Sequence, residues 1–174
     1  MIKRIFWDID ETLIHTAMYE PNQEHKMFML PDGVGKYYTI FRPCACDLIE
    51  FSRALVGKEN VFILTSATRD YAHIINQLGN FGFDEKNIFT REDLRDNLIE
   101  TAWGGYATIA NEAIADRDNV IIDNLHPRHN ETKVSYIGIK HDRYLKIRDY
   151  YGVNAPQDPF EEQVKEFLTK AHNE

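Results

Sequence analysis

Cysteine is nearly absent: Cys44 and Cys46 are the only two in 174 residues. Two thiols one residue apart cannot build a disulfide framework. A Cys-x-Cys pair would supply only half of a metal site, and no second pair completes it. Positive charge is also scarce, with 20 Lys and Arg against 28 Asp and Glu, so the net charge is −8. That deficit argues against a broad nucleic-acid-binding surface. Nothing resembles a membrane span, a signal peptide or a transit segment, so a cytoplasmic protein with no membrane partner is expected. Without such a leader, the sequon Asn130-Glu131-Thr132 carries no glycosylation reading. Repeats and low-complexity tracts are missing too. What remains is a 43% hydrophobic chain of one-domain size.

The richest stretch is the beginning. Ile2 to Trp7 is an apolar run broken only by Lys3 and Arg4, and it reads as a buried strand. Asp8, Asp10 and Thr12 follow at once. Two carboxylates two residues apart at a strand end share a face and converge on one cation. Held that close, they are costly unless a metal or a proton lies between them, which points to a Mg2+ site.

Further along, strands alternate with helices. Lys26 to Leu30 and Tyr37 to Phe41 flank Asp32-Gly33, a hairpin signal. Pro43 suits a first helical turn, and Leu48, Phe51 and Leu55 follow at helical spacing until Gly57. Val61 to Leu64 reads as a second buried strand. Tyr71, Ile74, Ile75 and Leu78 form a helix face closed by Gly79. Asn87 to Phe89 reads as a short strand, and Tyr106, Ile109, Ala110, Ala113 and Ile114 as an amphipathic helix. Val120 to Ile122 and Val134 to Ile139 are further strands, and Gly152 to Gln157 reads as a linker. In the last helix, about 158–172, Asp158, Pro159 and Glu161 supply cap, first turn and capping-box partner. Its apolar stripe is Phe160, Val164, Phe167 and Leu168. The pattern predicts an α/β fold, a doubly wound parallel sheet in a single domain over 1–174, with a small hairpin flap at about 25–41 and no large cap domain.

Thr65 follows the second strand and Asp123-Asn124 follows Val120 to Ile122. Ligands of open parallel sheets bind beyond the carboxyl ends of the strands, so these clusters should meet Asp8 at one edge.

The phrase Asp8-Ile9-Asp10-Glu11-Thr12 resembles the first motif of the haloacid dehalogenase (HAD) superfamily of aspartate-nucleophile phosphatases. Within it, the chain is similar to the RNA polymerase II C-terminal-domain phosphatases and the small-phosphatase group. The supporting phrases, in order, are DIDETLIHT, the hairpin with Phe41-Arg42-Pro43, ILTSATRDYA from Ile63, FTRED from Phe89 and IIDN from Ile121. The resemblance implies hydrolysis of a phosphomonoester through an aspartyl-phosphate. Asp8 is the implied nucleophile, Asp10 the acid and base, and Thr65 a donor to the phosphoryl group. It implies substrate contacts from Thr12, Ser66 and Arg91. It implies Mg2+ on Asp8, the backbone carbonyl of Asp10, Asn124 and Asp123 directly or through water.

The family places a lysine in its third motif, and this chain has none between Asp93 and Asn119; Trp103-Gly104-Gly105 lies there instead. Arg91, Arg95 and Lys133 are the candidate substitutes. Without a large cap the site should be open, suiting phosphate on a macromolecule, first of all phosphoserine or phosphothreonine in protein. Phe28, Tyr37 and Tyr38 either grip that substrate or pack the hairpin down. His126 and His129 read as a loop rather than a metal pair. Two alternatives stay open: a nucleotide, polynucleotide-end or small-metabolite phosphatase, with nucleic acid only as substrate, and a catalytically weak binding module.

Overall fold

The computed structural model describes residues 1–94, 98–100, 106–108, 114, 116–125, 141–153 and 158–174. Five parallel strands form the main sheet: β1 (Arg4–Trp7), β5 (Val61–Leu64), β6 (Ile88–Phe89), β9 (Asn119–Asp123) and β10 (Tyr144–Lys146), in the order β10-β9-β1-β5-β6. The apolar run that opens the chain is thus the central strand. Ile5 and Trp7 are buried on one face and Phe6 on the other, all at 0% exposure, so neither face of β1 meets water. Each such side chain contributes about 1.5–3 kcal/mol of burial.

One face carries the main core. It is covered by α1 (Ala45–Val56), α2 (Arg69–Leu78) and α4 (Phe160–Asn173), which bury Leu48 and Ile49, Ala72 and Ile75, and Phe160, Val164 and Leu168. These helices fall where the 3.6-residue spacing predicts. Pro43 precedes α1 instead of entering it, because Cys44 takes the left-handed conformation (φ 63°) at its N-cap. The opposite face is filled by Phe6, Leu64, Ile114, Ile121 and Tyr144. A four-residue helix, α3 (Arg91–Leu94), follows β6. Among the described residues no helix is long and apolar enough to cross a membrane.

The expected hairpin is present as β3 (Lys26–Phe28) and β4 (Tyr37–Phe41), paired antiparallel with Phe28 opposite Tyr37. A third strand, β2 (Ile14–Ala17), pairs on the other side of β4, so the flap is a sheet of order β2-β4-β3. Phe28 is buried, stacked on Tyr37 with centroids 5.4 Å apart and set against Tyr71 at 5.8 Å, so it packs the flap down.

Two further expectations are corrected. Tyr106 does not open a helix: Tyr106–Thr108 is β8, antiparallel to β7 (Leu98–Glu100). Cross-strand pairing there overrides a coincidental helical spacing. At the last helix, Pro159 takes the N-cap position. Asp158 accepts the Phe160 N–H at 3.2 Å but turns its other oxygen to Arg42. Glu161 pairs with Lys165 at 2.6 Å and accepts the Cys44 thiol, so no capping box closes. The expected strand Val134–Ile139, the helix residues 109–113, the linker residues 154–157, and Arg95, Trp103 to Gly105, His126, His129 and Lys133 lie outside the described residues.

Candidate active site

The parallel register delivers three strand ends to one edge. Trp7 pairs with Ile63 on one side and with Ile122 on the other. Asp8 therefore lies beside the last residues of β5 and β9, and its N–H extends the ladder to the Ile122 carbonyl at 3.0 Å. The chain then reverses tightly. The Ile9 carbonyl accepts the N–H groups of Thr12, Leu13 and Ile14, and Glu11 takes a left-handed conformation (φ 60°). Ile9 and Leu13 anchor this turn, both fully buried.

Thr12 joins two of the strand ends. Its hydroxyl donates to Asp8 Oδ2 at 2.8 Å and accepts the Asn124 N–H at 3.1 Å. Asn124 Oδ1 also lies 3.4 Å from that hydroxyl. A threonine hydroxyl has one proton, and the shorter contact assigns it to Asp8. Asn124 Oδ1 then receives no proton from Thr12 and lies on the side of Thr12 and Asp8.

The carboxylates are crowded. Burial pushes Asp8 well above the usual carboxylate range, with repulsion from Asp123 and Asp10 adding to it and the Thr12 bond opposing it. Burial raises Asp10 too, against the bond from Tyr71 and the charge of His15. Asp123 is pushed up to about 6, chiefly by burial, while donors including the Leu125 N–H oppose the shift. Glu11 is raised by burial, which its bond from His15 opposes. Such a cluster favours neutralisation by protons or by a cation. Its donors are hard oxygens, the Asp8 and Asp123 carboxylates and the Asn124 carbonyl, and that set fits Mg2+. Among the described residues no three His, Cys, Asp or Glu side chains form a ready cage. Mg2+ is commonly held by one or two carboxylates plus water and substrate phosphate, so a partial protein shell suits it better than it suits zinc.

Thr65 is buried at the end of β5. Its hydroxyl accepts the Ala67 N–H at 3.1 Å, which leaves its own proton to donate. Ser66 is held through its carbonyl by Arg91 Nε at 2.8 Å, and the Arg91 N–H bonds the Ala67 carbonyl at 2.9 Å. Arg91 thus sits against the loop that carries Thr65. Arg117 is 76% exposed in its side chain, 3.9 Å from Asp118 before β9, at the opposite edge of the sheet.

Three residues around the site escape a reading of motifs. Tyr71 donates to Asp10 Oδ1 at 2.5 Å and lies 2.9 Å from Thr16 Oγ1. Asp149 accepts the Asn124 side-chain amide at 3.2 Å. Arg42 is 3% exposed and donates to the Thr12 carbonyl at 3.1 Å. In sequence Tyr71 is one position of an apolar helix face inside the ILTSATRDYA phrase, Arg42 carries no signal beyond Phe41-Arg42-Pro43, and Asp149 carries none.

Two proteins described as uracil-DNA glycosylases are similar to this chain. The one from Blochmanniella floridana is 28% identical over 137 residues, covering 69% of this chain and 60% of that protein. The one from Ureaplasma parvum serovar 3 is 25% identical over 160 residues, covering 83% and 74%. The fold is shared with an arginine variant of the fission yeast RNA polymerase II CTD phosphatase Fcp1 bound to beryllium fluoride. The TM-score is 0.56 at 16% identity, over 99% of this chain and 51% of that one. A second structure of Fcp1, described as an essential RNA polymerase II CTD phosphatase, gives 0.53 at 17% identity, over 99% and 49%. The chain spans 60% of the first of these relatives and about half of each Fcp1 chain. Residues 3–174 match the family described as NIF, NLI interacting factor-like phosphatase, in keeping with the HAD-like α/β fold and its carboxylate edge, and the chain belongs to that family.

Proposed function

We propose that this chain hydrolyses phosphomonoesters with Asp8 as the nucleophile. The observation that carries the reading is the Thr12 bridge, which binds one oxygen of Asp8 and the backbone of Asn124 across the central strands. Because Thr12 donates to Oδ2, Oδ1 is the atom that attacks phosphorus. A carboxylate needs no activating base once its negative surroundings are balanced. The ester oxygen leaves with the proton of the Asp10 carboxyl, and an aspartyl-phosphate forms on Asp8. Asp10, now ionised, takes a proton from the water that attacks this phosphorus, releasing phosphate and restoring Asp8. Tyr71 orients Asp10 by occupying Oδ1, which turns Oδ2 to the leaving group. Thr65 donates its free proton to a phosphoryl oxygen, and Ser66 and Arg91 line the same side. Mg2+ held by Asp8, the Asp10 carbonyl, Asn124 and Asp123 directly or through water would offset the repulsion between carboxylates and phosphate.

The substrate class proposed is phosphoserine or phosphothreonine in a protein. The similarity of fold to Fcp1 supports it, and so does the flap, which among the described residues is a three-stranded sheet and not a helical cap. The similarity to two proteins described as DNA glycosylases favours a second reading, phosphate carried on a nucleic-acid end. A panel of phosphopeptides, 3′- and 5′-phosphorylated oligonucleotides, nucleotides and sugar phosphates, assayed with Mg2+, separates the two. Acid-quenched protein should carry phosphate on Asp8, and Asp8→Asn should abolish turnover with an unchanged circular dichroism spectrum. Turnover retained in Asp8→Asn would end this reading.

A further inference from the structure

The segment after β10, residues 147–153, returns across the carboxyl edge and reaches two of the strand-end residues. Its backbone is tied to the 8–13 turn by a bond of 2.7 Å from the Tyr150 N–H to the Glu11 carbonyl. Its side chains form a chain of contacts. Asp149 Oδ1 accepts Asn124 Nδ2 at 3.2 Å, and Asp149 Oδ2 accepts the Tyr151 hydroxyl at 3.0 Å. The Tyr151 ring meets the His15 ring edge-on, with centroids 5.9 Å apart, and His15 Nδ1 lies 2.9 Å from Glu11 Oε2.

This arrangement solves a problem particular to asparagine. The oxygen and nitrogen of its amide have nearly the same shape, so only bonding partners decide which one faces a site. Presenting Nδ2 to a cation would be repulsive. Thr12 does not make the choice, because its hydroxyl proton goes to Asp8 and it receives only the Asn124 backbone N–H. Asp149 does make it. An ionised carboxylate only accepts, so it bonds the amide through Nδ2 and leaves Oδ1 on the side of Asp8 and Thr12. Tyr151 in turn holds the second oxygen of Asp149 and limits its rotation.

We infer that Asp149 is a positioning residue that fixes the Asn124 amide with its oxygen toward the cation, and that Tyr151 fixes Asp149. The cation part of this inference rests on the Mg2+ reading given above. Neither Asp149 nor Tyr151 touches the reacting atoms. Partners that orient a metal ligand in this way change metal affinity by about 10–100-fold when removed.

The test uses the full chain and has two readouts, calorimetric titration with Mg2+ alone and the side-chain amide resonances of Asn124 in metal-free protein. Asp149→Asn should weaken Mg2+ binding by about 10–100-fold. Tyr151→Phe should weaken it less. Glu11→Gln removes a nearby carboxylate that does not bond Asn124, and its loss should be much smaller, which separates orientation from charge. The Asn124 side-chain amide resonances should shift in Asp149→Asn while its backbone N–H stays put. Absence of Mg2+ binding by the wild type would overturn the metal reading itself. Wild-type Mg2+ affinity in Asp149→Asn, or an unmoved Asn124 side-chain amide, would overturn the positioning role whether or not the metal reading stands.

Discussion

Replacing Asp158 with alanine should be among the most damaging changes outside the site. Arg42 is 3% exposed, and its guanidinium lies 3.8 Å from the Phe160 ring centroid and 5.3 Å from that of Tyr150. Asp158 takes Nη2 at 2.8 Å and Nε at 3.2 Å and is the carboxylate that pairs with it. Asp158→Ala strands a buried cation, at a cost of about 3–5 kcal/mol. For a chain of this length each kcal/mol is about 2–4 °C in Tm, so the melting point should fall by about 6–20 °C. Arg42→Met/Asp158→Ala removes both charges and places an apolar side chain between the two rings. Exchanging a buried pair for apolar groups is often neutral, and the lost bond to the Thr12 carbonyl costs about 1 kcal/mol. The double variant should therefore be more stable than the single one, with urea denaturation followed by circular dichroism as the assay. An Asp158→Ala loss under about 1 kcal/mol, the range of exposed pairs, would refute the reasoning, as would a double variant less stable than the single.

Asp10→Asn should lower turnover of an alkyl phosphate by about 10²–10⁴-fold and that of an activated aryl phosphate much less; equal losses on both would remove Asp10 as the acid. Arg91→Ala should impair turnover while Arg117→Ala, at the opposite edge, should be nearly silent, and the reverse order in steady-state kinetics would exclude Arg91 from the substrate. Thr12→Val should cost about 1–3 kcal/mol in stability, since the buried Asn124 N–H loses its acceptor, and should also lower kcat. Asp8, Asp10 and Asp123 have raised values in the folded state, so the folded protein binds protons that the unfolded chain has already released. The share of metal-free stability from Asp123 is then full below about 4 and is lost as pH climbs through about 6, and the raised Asp8 and Asp10 act in the same direction. Mg2+ should accordingly raise Tm more at neutral pH than near pH ~5, and equal shifts at both would disprove the competition between proton and metal.

The buried strands β1, β5 and β9 were legible because a strand covered on both faces has no polar alternation to hide its apolar run. Helices α1, α2 and α4 were legible from their stripes, and β3 with β4 from Asp32-Gly33. Strand β2 was not, because Ile14-His15-Thr16-Ala17 is weakly patterned and becomes a strand only by pairing with β4, across more than twenty residues of chain. Asp158 shows the limit of local rules. Its capping signature is sound, yet a buried arginine 116 positions away claims the carboxylate. Within the site, Asp8, Thr12, Thr65, Asp123 and Asn124 are legible since adjacent parallel strands bring their ends together by necessity. Tyr71 and Asp149 are not, because each reaches the site only by long-range bonds from an element whose own sequence speaks only of packing or of loop.

The register of the central strand also governs when the site comes into being. Arg4 pairs with Asn119 and Ile5 with Val61, so β1 gains its neighbours only by closing two very unequal loops. Loop-closure entropy grows with length, and parallel pairings at such separation form slowly. Capture of β5 should precede capture of β9 during refolding, and a species with β1 and β5 joined would hold Asp8 and Thr65 without Asn124. Native fluorescence of the buried Trp7 should then recover before the ability to turn over phosphate, with docking of β9 as the slow event between them.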